Sequence, residues 1–340
     1  MNYFKRIGLN SDGLRVCIGQ TEPTEPKRVK LNLQQITKQN HRRTAQVLVL
    51  KRFLSFPPGI SAWITINFLT GKNQNPRSDS WKLVRTMVLV PHQRFMFPLI
   101  PGGLHSHGST TVGMLDLGGG STQITFSPRD EKTIQDSPVD SIRSFQMFSN
   151  THTVYTHSYL GLGLMSARLA ILGGPIGSST ELLSTCLPAE FSGTWEHADI
   201  IYTVKGQEAG GPAYEACRSI VEKVLFRKVM KASEAADVDF YAFSYYYDRA
   251  VDLGVIDEKR GGTIRVSDYV QAAQTVCSRV IRGPLQSPFL CLDLVYISVL
   301  LQELGLPPHK QLKLARTINQ VETSWALGAT FHYMETLKRP

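Results

Sequence analysis

An apolar run that delivers one carboxylate into three consecutive glycines is the part of this sequence best suited to chemistry on phosphate. Asp116 is the one carboxylate in the run from Val112 to Leu117. Gly118, Gly119 and Gly120 follow, and Ser121, Thr122 and Gln123 lead into a second alternating stretch that ends at Phe126. The pattern reads as strand, turn, strand. Three glycines leave no side chain where an anion would approach, so backbone N–H groups can converge on phosphoryl oxygens. A carboxylate at the strand end suits a hydrated divalent cation that shares those phosphates. Ser121 and Gln123 carry groups able to hold a water in line with phosphorus. The plain alternative is a glycine-rich hairpin turn with no ligand at all.

The rest of the chain must supply a scaffold, and its 340 residues are enough for one large domain or two lobes. With 42% hydrophobic and 19% charged residues, the composition is that of a globular protein. The net charge of +9 is unevenly placed: residues 1–110 hold 16 Lys and Arg against 4 Asp and Glu, and residues 111–340 hold 21 against 24. The basicity therefore sits in the N-terminal third, with no Arg-rich helix, aromatic platform or zinc spacing beside it. This argues against a nucleic-acid partner. No run reaches the ~18–20 apolar residues of a membrane span, and the first residues lack the apolar core of a secretory signal.

Four organisational units follow from the patterning. Residues 1–58 read as an irregular basic segment, 59–71 as a buried helix whose β-branched content also allows a strand, 72–110 as an irregular insertion and 111–338 as the folded body. Within that body, helices are expected from Tyr159 to Leu172, with Leu160, Leu164, Leu169 and Leu172 on one face. Others are expected over Pro212 to Met230, Val266 to Ile281 and Asp293 to Leu304. Asp239 to Asp248 reads as a strand breaking into an aromatic loop, and Ile318 to His332 as a strand or loop feeding a helix. Cys186, Cys217, Cys277 and Cys291 form two close pairs in sequence, with Cys17 left over. Two disulfides, 186–217 and 277–291, are one reading; four buried thiols are the other.

Four segments together carry a resemblance: the glycine turn, Tyr155 to Arg168, Phe240 to Asp248 and Glu322 to Ala329. They resemble the apyrase family of ectonucleoside triphosphate diphosphohydrolases, and most of all its soluble type 5/6 nucleoside diphosphatase branch. The resemblance implies an α/β, actin-like and ribonuclease H-like two-lobed fold, with the second lobe largely intact and the first mostly missing. It implies hydrolysis of the terminal phosphate of UDP- or GDP-type nucleoside diphosphates by water, with Ca²⁺ or Mg²⁺. By the same token Asp116 would hold the cation through water, Gly118, Gly119, Gly120, Ser121 and Thr122 would cradle phosphate, and Ser121 with Gln123 would position the attacking water. Trp325 would lie near the metal waters. Tyr247 and Tyr296, with Tyr246 in reserve, are the candidates for an aromatic clamp on the base, and Asp248 is a candidate ribose contact or helix cap. The resemblance also favours the two disulfides, a monomer, and the secretory-pathway lumen or the cell exterior.

The chain departs from the family pattern in its N-terminal third. An Asp-Ala-Gly-Ser-Thr-Gly-type phosphate loop and an Ala-Thr-Ala-Gly-type loop are both lacking. The family motif that ends in Glu-Gly before Val-Ser-Ala-Trp appears here as Pro58-Gly59 before Ile60-Ser61-Ala62-Trp63. Pro58 thus stands where the general base is expected, which puts turnover by this chain in doubt. A catalytically inactive nucleotide- or partner-binding fragment is the alternative.

Overall fold

The computed structural model describes residues 7–10, 13–16, 57–71, 111–147, 150–174, 179–278, 287–319, 321–323 and 325–337. A two-stranded hairpin of β1 (Ile7–Asn10) and β2 (Gly13–Val16) comes first, followed by α1 (Pro58–Leu69). The main body opens with β3 (Gly113–Leu117), β4 (Ser121–Phe126) and the short α2 (Glu131–Asp136). It continues through β5 (Ile142–Met147), β6 (Asn150–Leu160), α3 (Leu164–Ile171), β7 (Glu181–Ser184), β8 (Ser192–His197), β9 (Ile200–Gly206) and α4 (Ala213–Leu225). Then come β10 (Phe240–Ser244), α5 (Tyr245–Asp252), β11 (Gly262–Arg265), α6 (Val266–Ser278) and α7 (Leu290–Glu303). The last elements are β12 (Gln311–Leu314), β13 (Thr317–Ile318), β14 (Val321–Glu322) and α8 (Trp325–Leu337).

Seven strands form the central sheet in the order β11-β12-β10-β3-β4-β6-β5. β3, β10 and β12 run parallel, whereas β4, β6, β5 and β11 each pair antiparallel with a neighbour. The inner order β6-β4-β3-β10-β12 is that of a ribonuclease H-like lobe: a three-stranded meander with two parallel strands added beside its first strand. Parallel pairs need crossover connections, and here helices provide them on one face. A separate small sheet, β7-β9-β8, sits on the excursion between α3 and α4. One sheet of the ribonuclease H type is present among the described residues.

Alternation along β3 sorts its side chains between two cores. Leu115 and Leu117 join the large cluster beneath α3 to α7, while Met114 joins the cluster of α1 and α8 on the opposite face. The result is a three-layer sandwich. α1 is buried from Gly59 to Phe68, so it reads as apolar all round rather than amphipathic. Asn67 ties its last turn to the start of β3: Nδ2 donates to the Val112 carbonyl at 2.9 Å, and the Val112 amide donates to Oδ1 at 2.8 Å. α8 crosses α1 at Gly328, whose Cβ, if present, would collide with the Ser61 carbonyl, and whose amide donates to Thr65 Oγ1 at 2.8 Å.

Several expectations change on contact with these elements. Tyr159 and Leu160 belong to β6 and not to a helix, and Leu160 is 88% exposed at the strand end. Gly161, at φ +82°, breaks the strand and delays the helix until Leu164. The aromatic tract after β10 is the first turn of α5, not a loop. The basic segment 1–58 contains the β1–β2 hairpin. The strands from Ile142 to Leu160 and the β7–β9 sheet had no counterpart in the sequence reading. Cys17 and the insertion 72–110 lie outside the described residues. Both disulfides are formed, Cys186–Cys217 and Cys277–Cys291. Among the described residues no helix is long and apolar enough to cross a membrane.

Candidate active site

Register places several of the candidate side chains in one row. Asp116 of β3 stands opposite Gln123 of β4, and Gln123 opposite Ser158 of β6. Ser121 lies two residues before Gln123 and so shares its face, whereas Thr122 points to the other side. The Gln123 amide nitrogen donates to Ser121 Oγ at 2.6 Å and to Ser158 Oγ at 3.1 Å. That pair of bonds fixes the carboxamide. It also leaves the Ser121 hydroxyl hydrogen free to be given to a water or an anion, because its oxygen is already an acceptor. Ser158 was not anticipated from the sequence; only the β4–β6 register reveals it.

The glycine turn is anchored by its carbonyls. Leu164 N donates to Gly118 O at 2.8 Å, Met165 N and Ser166 N to Gly119 O at 3.0 and 3.1 Å, and Gly161 N to Gly120 O at 2.8 Å. The first amides of α3 are therefore taken up by the turn, so the positive end of the helix holds the loop's oxygens inward. Of the loop's own amides, Gly118 N bonds back to Ser121 O at 3.0 Å, but those of Gly119 and Gly120 meet no backbone acceptor among the described residues. Two adjacent free N–H groups beside an aspartate are what a phosphoryl group requires. Gly163 is essential to this contact: a Cβ there would overlap the turn's backbone at Gly119, Gly120 and Ser121.

Asp116 is half-buried at the C-terminal end of β3. Burial pushes its carboxyl above the usual carboxylate range, and a hydrogen bond from Ser244 opposes that rise. Ser244 Oγ donates to Asp116 Oδ1 at 2.6 Å. Thr122 Oγ1 donates to the Asp116 main-chain carbonyl at 3.0 Å, so its hydroxyl braces the hairpin from beneath the turn. α1 enters over the same row. The position a Gly59 Cβ would occupy is 2.7 Å from Thr125 Oγ1, 3.0 Å from Thr156 Oγ1 and 3.6 Å from Gln123 Cβ, so the first turn of the helix, which Pro58 begins, packs on the strand row that holds Gln123.

With the geometry in hand, the comparisons decide the family. A model of the GDA1/CD39 (nucleoside phosphatase) family matches residues 57–339. The chain belongs to that family. It is 51% identical over 285 residues to ectonucleoside triphosphate diphosphohydrolase 6 of Mus musculus, across 83% of this chain and 56% of the relative. To the protein of the same name in Homo sapiens it is 48% identical, with 52% of that relative covered. Ectonucleoside triphosphate diphosphohydrolase 5 of Gallus gallus is 41% identical over 283 residues, with 59% covered. The chain thus spans between half and three-fifths of the length of the curated relatives it matches. A crystal structure of nucleoside triphosphate hydrolases from Neospora caninum superposes with a TM-score of 0.54 at 15% identity, over 83% of this chain and 64% of that one. That likeness supports the fold.

The other sequence-derived candidates of this nucleoside phosphatase family member fall in different places. Tyr296 is wholly buried in α7 and donates to the Leu162 carbonyl at 2.5 Å. Tyr247 is buried in α5, with its hydroxyl donated to the Glu258 carbonyl. Tyr246 is buried as well, its hydroxyl facing the Thr122 side chain. None of the three offers an open ring face for a base. Tyr245, half-buried at the head of α5 and close to Arg168, is the more accessible aromatic of that tract. Asp248 is exposed in the first turn of α5, and Trp325 opens α8, 37% exposed.

Proposed function

We propose that this chain carries the metal- and phosphate-holding half of a nucleoside diphosphatase site, selective for UDP- or GDP-type substrates with Ca²⁺ or Mg²⁺. The observation that carries the reading is the pair of free amides at Gly119 and Gly120, held beside Asp116 by the N-terminus of α3. Among the described residues no cluster of three His, Cys, Asp or Glu could ligate a metal alone. One carboxylate with one oxygen already bonded fits a cation that arrives with its own waters and the substrate's phosphates. Asp116 would hold it, and the bound ion would supply charge neutralisation on the phosphoryl oxygens. The chain's own residues do the rest. The two glycine amides orient the transferring group, and Ser121, braced by Gln123 and Ser158, donates to the water or to a phosphate oxygen. The two disulfides fit an oxidising compartment such as the secretory-pathway lumen or the cell exterior.

Pro58 favours binding over turnover. A proline takes no proton, and loss of a positioned base removes about 10²–10⁴ in rate. The expected result is Ca²⁺-dependent binding of UDP or GDP by calorimetry, with phosphate release near that of a mock preparation. Pro58→Glu then raises phosphate release at least about tenfold, since an acidic residue is well placed in the first turn of a helix. Rapid release by the unaltered chain would overturn the role given to position 58. Absence of cation-dependent nucleotide binding would overturn the site itself.

A further inference from the structure

Ser244 forms the junction between β10 and α5, and its backbone is unusual. Its φ of +56° and ψ of −126° lie in territory that glycine favours and a residue with a Cβ rarely occupies. It is also the residue before the first turn of α5, where a serine hydroxyl ordinarily accepts from the helix's free amides. Here the side chain makes no such cap bond. Its Oγ instead donates to Asp116 Oδ1 at 2.6 Å. Register explains the reach: Phe243 pairs with Asp116 and Ser244 with Leu117 across the parallel β10–β3 ladder, so an extended residue at 244 would not share the face of Asp116. Positive φ turns the hydroxyl back onto that face.

We propose that Ser244 is a positioning residue for the metal-holding carboxylate of Asp116, and that its backbone strain and forfeited helix cap persist because they serve that hydrogen bond. Holding Oδ1 fixes the carboxylate plane and leaves Oδ2 to the waters of a divalent cation. The inference rests on the reading of Asp116 given above, and it adds a residue from the opposite parallel strand whose motif position suggested only an aromatic tract.

Two variants separate the two halves of the idea. Ser244→Ala removes the hydroxyl and keeps the strained backbone; Ser244→Gly removes the hydroxyl and relieves the strain. Each is titrated with Ca²⁺ in the presence of the non-hydrolysable α,β-methylene UDP and melted without ligand. Both variants are expected to bind Ca²⁺ on the order of tenfold more weakly than the unaltered chain, as for loss of one hydrogen bond to a charged group. Ser244→Gly should melt above Ser244→Ala. A positioning role thus predicts weaker cation binding in both variants whichever of them melts higher, which a merely structural serine would not give. Unchanged Ca²⁺ affinity in both variants, with the unaltered chain binding, overturns the inference and leaves the Asp116 site standing. A Gly variant no more stable than the Ala variant overturns the strain argument. No Ca²⁺-dependent binding by the unaltered chain would sink the Asp116 reading and this inference with it.

Discussion

At the scale of single residues, the site depends on what is absent as much as on what is present. Gly163 has no functional group, yet its lack of a Cβ lets α3 approach the glycine turn closely enough for the Leu164 and Met165 amides to bond the Gly118 and Gly119 carbonyls. Gly163→Ala would push the helix off the turn. Overpacking of this kind costs about 1–3 kcal/mol. Its effect on the site should exceed its effect on the fold, because the displaced atoms are those of the backbone proposed to hold phosphate. Calorimetry with Ca²⁺ and UDP should show binding lost in a protein whose melting temperature falls only a few degrees. Retained affinity would mean that the amides of Gly119 and Gly120 do not carry the phosphate. Asp116→Asn supplies the complementary test: it keeps the shape, removes the charge, and should abolish the cation dependence of nucleotide binding.

Elements position these residues through one buried charge cluster. Arg168 of α3 grips Asp293 of α7 with Nε at 2.7 Å from Oδ1 and Nη2 at 2.5 Å from Oδ2. Arg249 of α5 adds Nη1 at 3.0 Å from the same Oδ2 and also pairs with Asp252 at 2.9 Å. The Arg168 guanidinium lies over the Phe289 ring, 4.5 Å from its centroid. α3 anchors the glycine turn through its first amides and α5 follows Ser244, so Asp293 fixes both against α7. Asp293→Ala would leave two guanidinium groups without their buried partner, a loss of about 3–5 kcal/mol. Equilibrium denaturation in urea should show it as a lower midpoint; a shift below about 1 kcal/mol would mean that water already reaches the cluster. The sequence made part of this scale legible. α1, α6 and α7 carried apolar runs with clear stops and were read within a few residues of their ends. α3 was misread because Leu160, Leu164 and Leu169 mimic a helical stripe, and only the positive φ of Gly161 separates strand from helix. The strands β5 to β9 were not read at all. β5 exposes Arg143, Ser144 and Gln146 and β8 exposes Ser192, Thr194 and Glu196, which leaves the apolar half of the alternation short, while β7 and β9 blur it by exposing Leu183, Ile200 and Ile201. The Asp116–Gln123–Ser158 row and the Ser244 contact need strand register, which sequence spacing does not provide.

For the whole molecule, the glycine turn and the three other motifs pointed to the family and one lobe of its fold, and the cysteine pairing that the resemblance favours is the one formed in three dimensions. The two bridges sit on the same helical layer but differ in access. Cys186 and Cys217 are 1% and 0% exposed and Cys291 is 8% exposed, whereas Cys277 is half-buried; a cavity of about 290 Å³ is lined by Cys186, Cys277 and Cys291 alike, so the difference in access rests on Cys277. They close loops of 31 and 14 residues. Chain entropy assigns each about 3–4 kcal/mol, held almost entirely in the unfolded state. For a body of this size each kcal/mol moves the melting temperature by roughly 2–4 °C, so either bridge should be worth about 10 °C. Reduction of the unaltered chain tests this without creating a cavity, because every side chain stays in place. With dithiothreitol the accessible Cys277–Cys291 bridge should open first in the folded protein, giving a first downward step in melting temperature. Cys186–Cys217 should resist until unfolding exposes it, and then prevent refolding to the original midpoint. Thiol alkylation read by mass spectrometry distinguishes the order: labelling at 277 and 291 should precede labelling at 186 and 217. Simultaneous labelling of all four would show that the two bridges do not differ in access, and a melting curve indifferent to the reductant would show that they do not constrain this lobe.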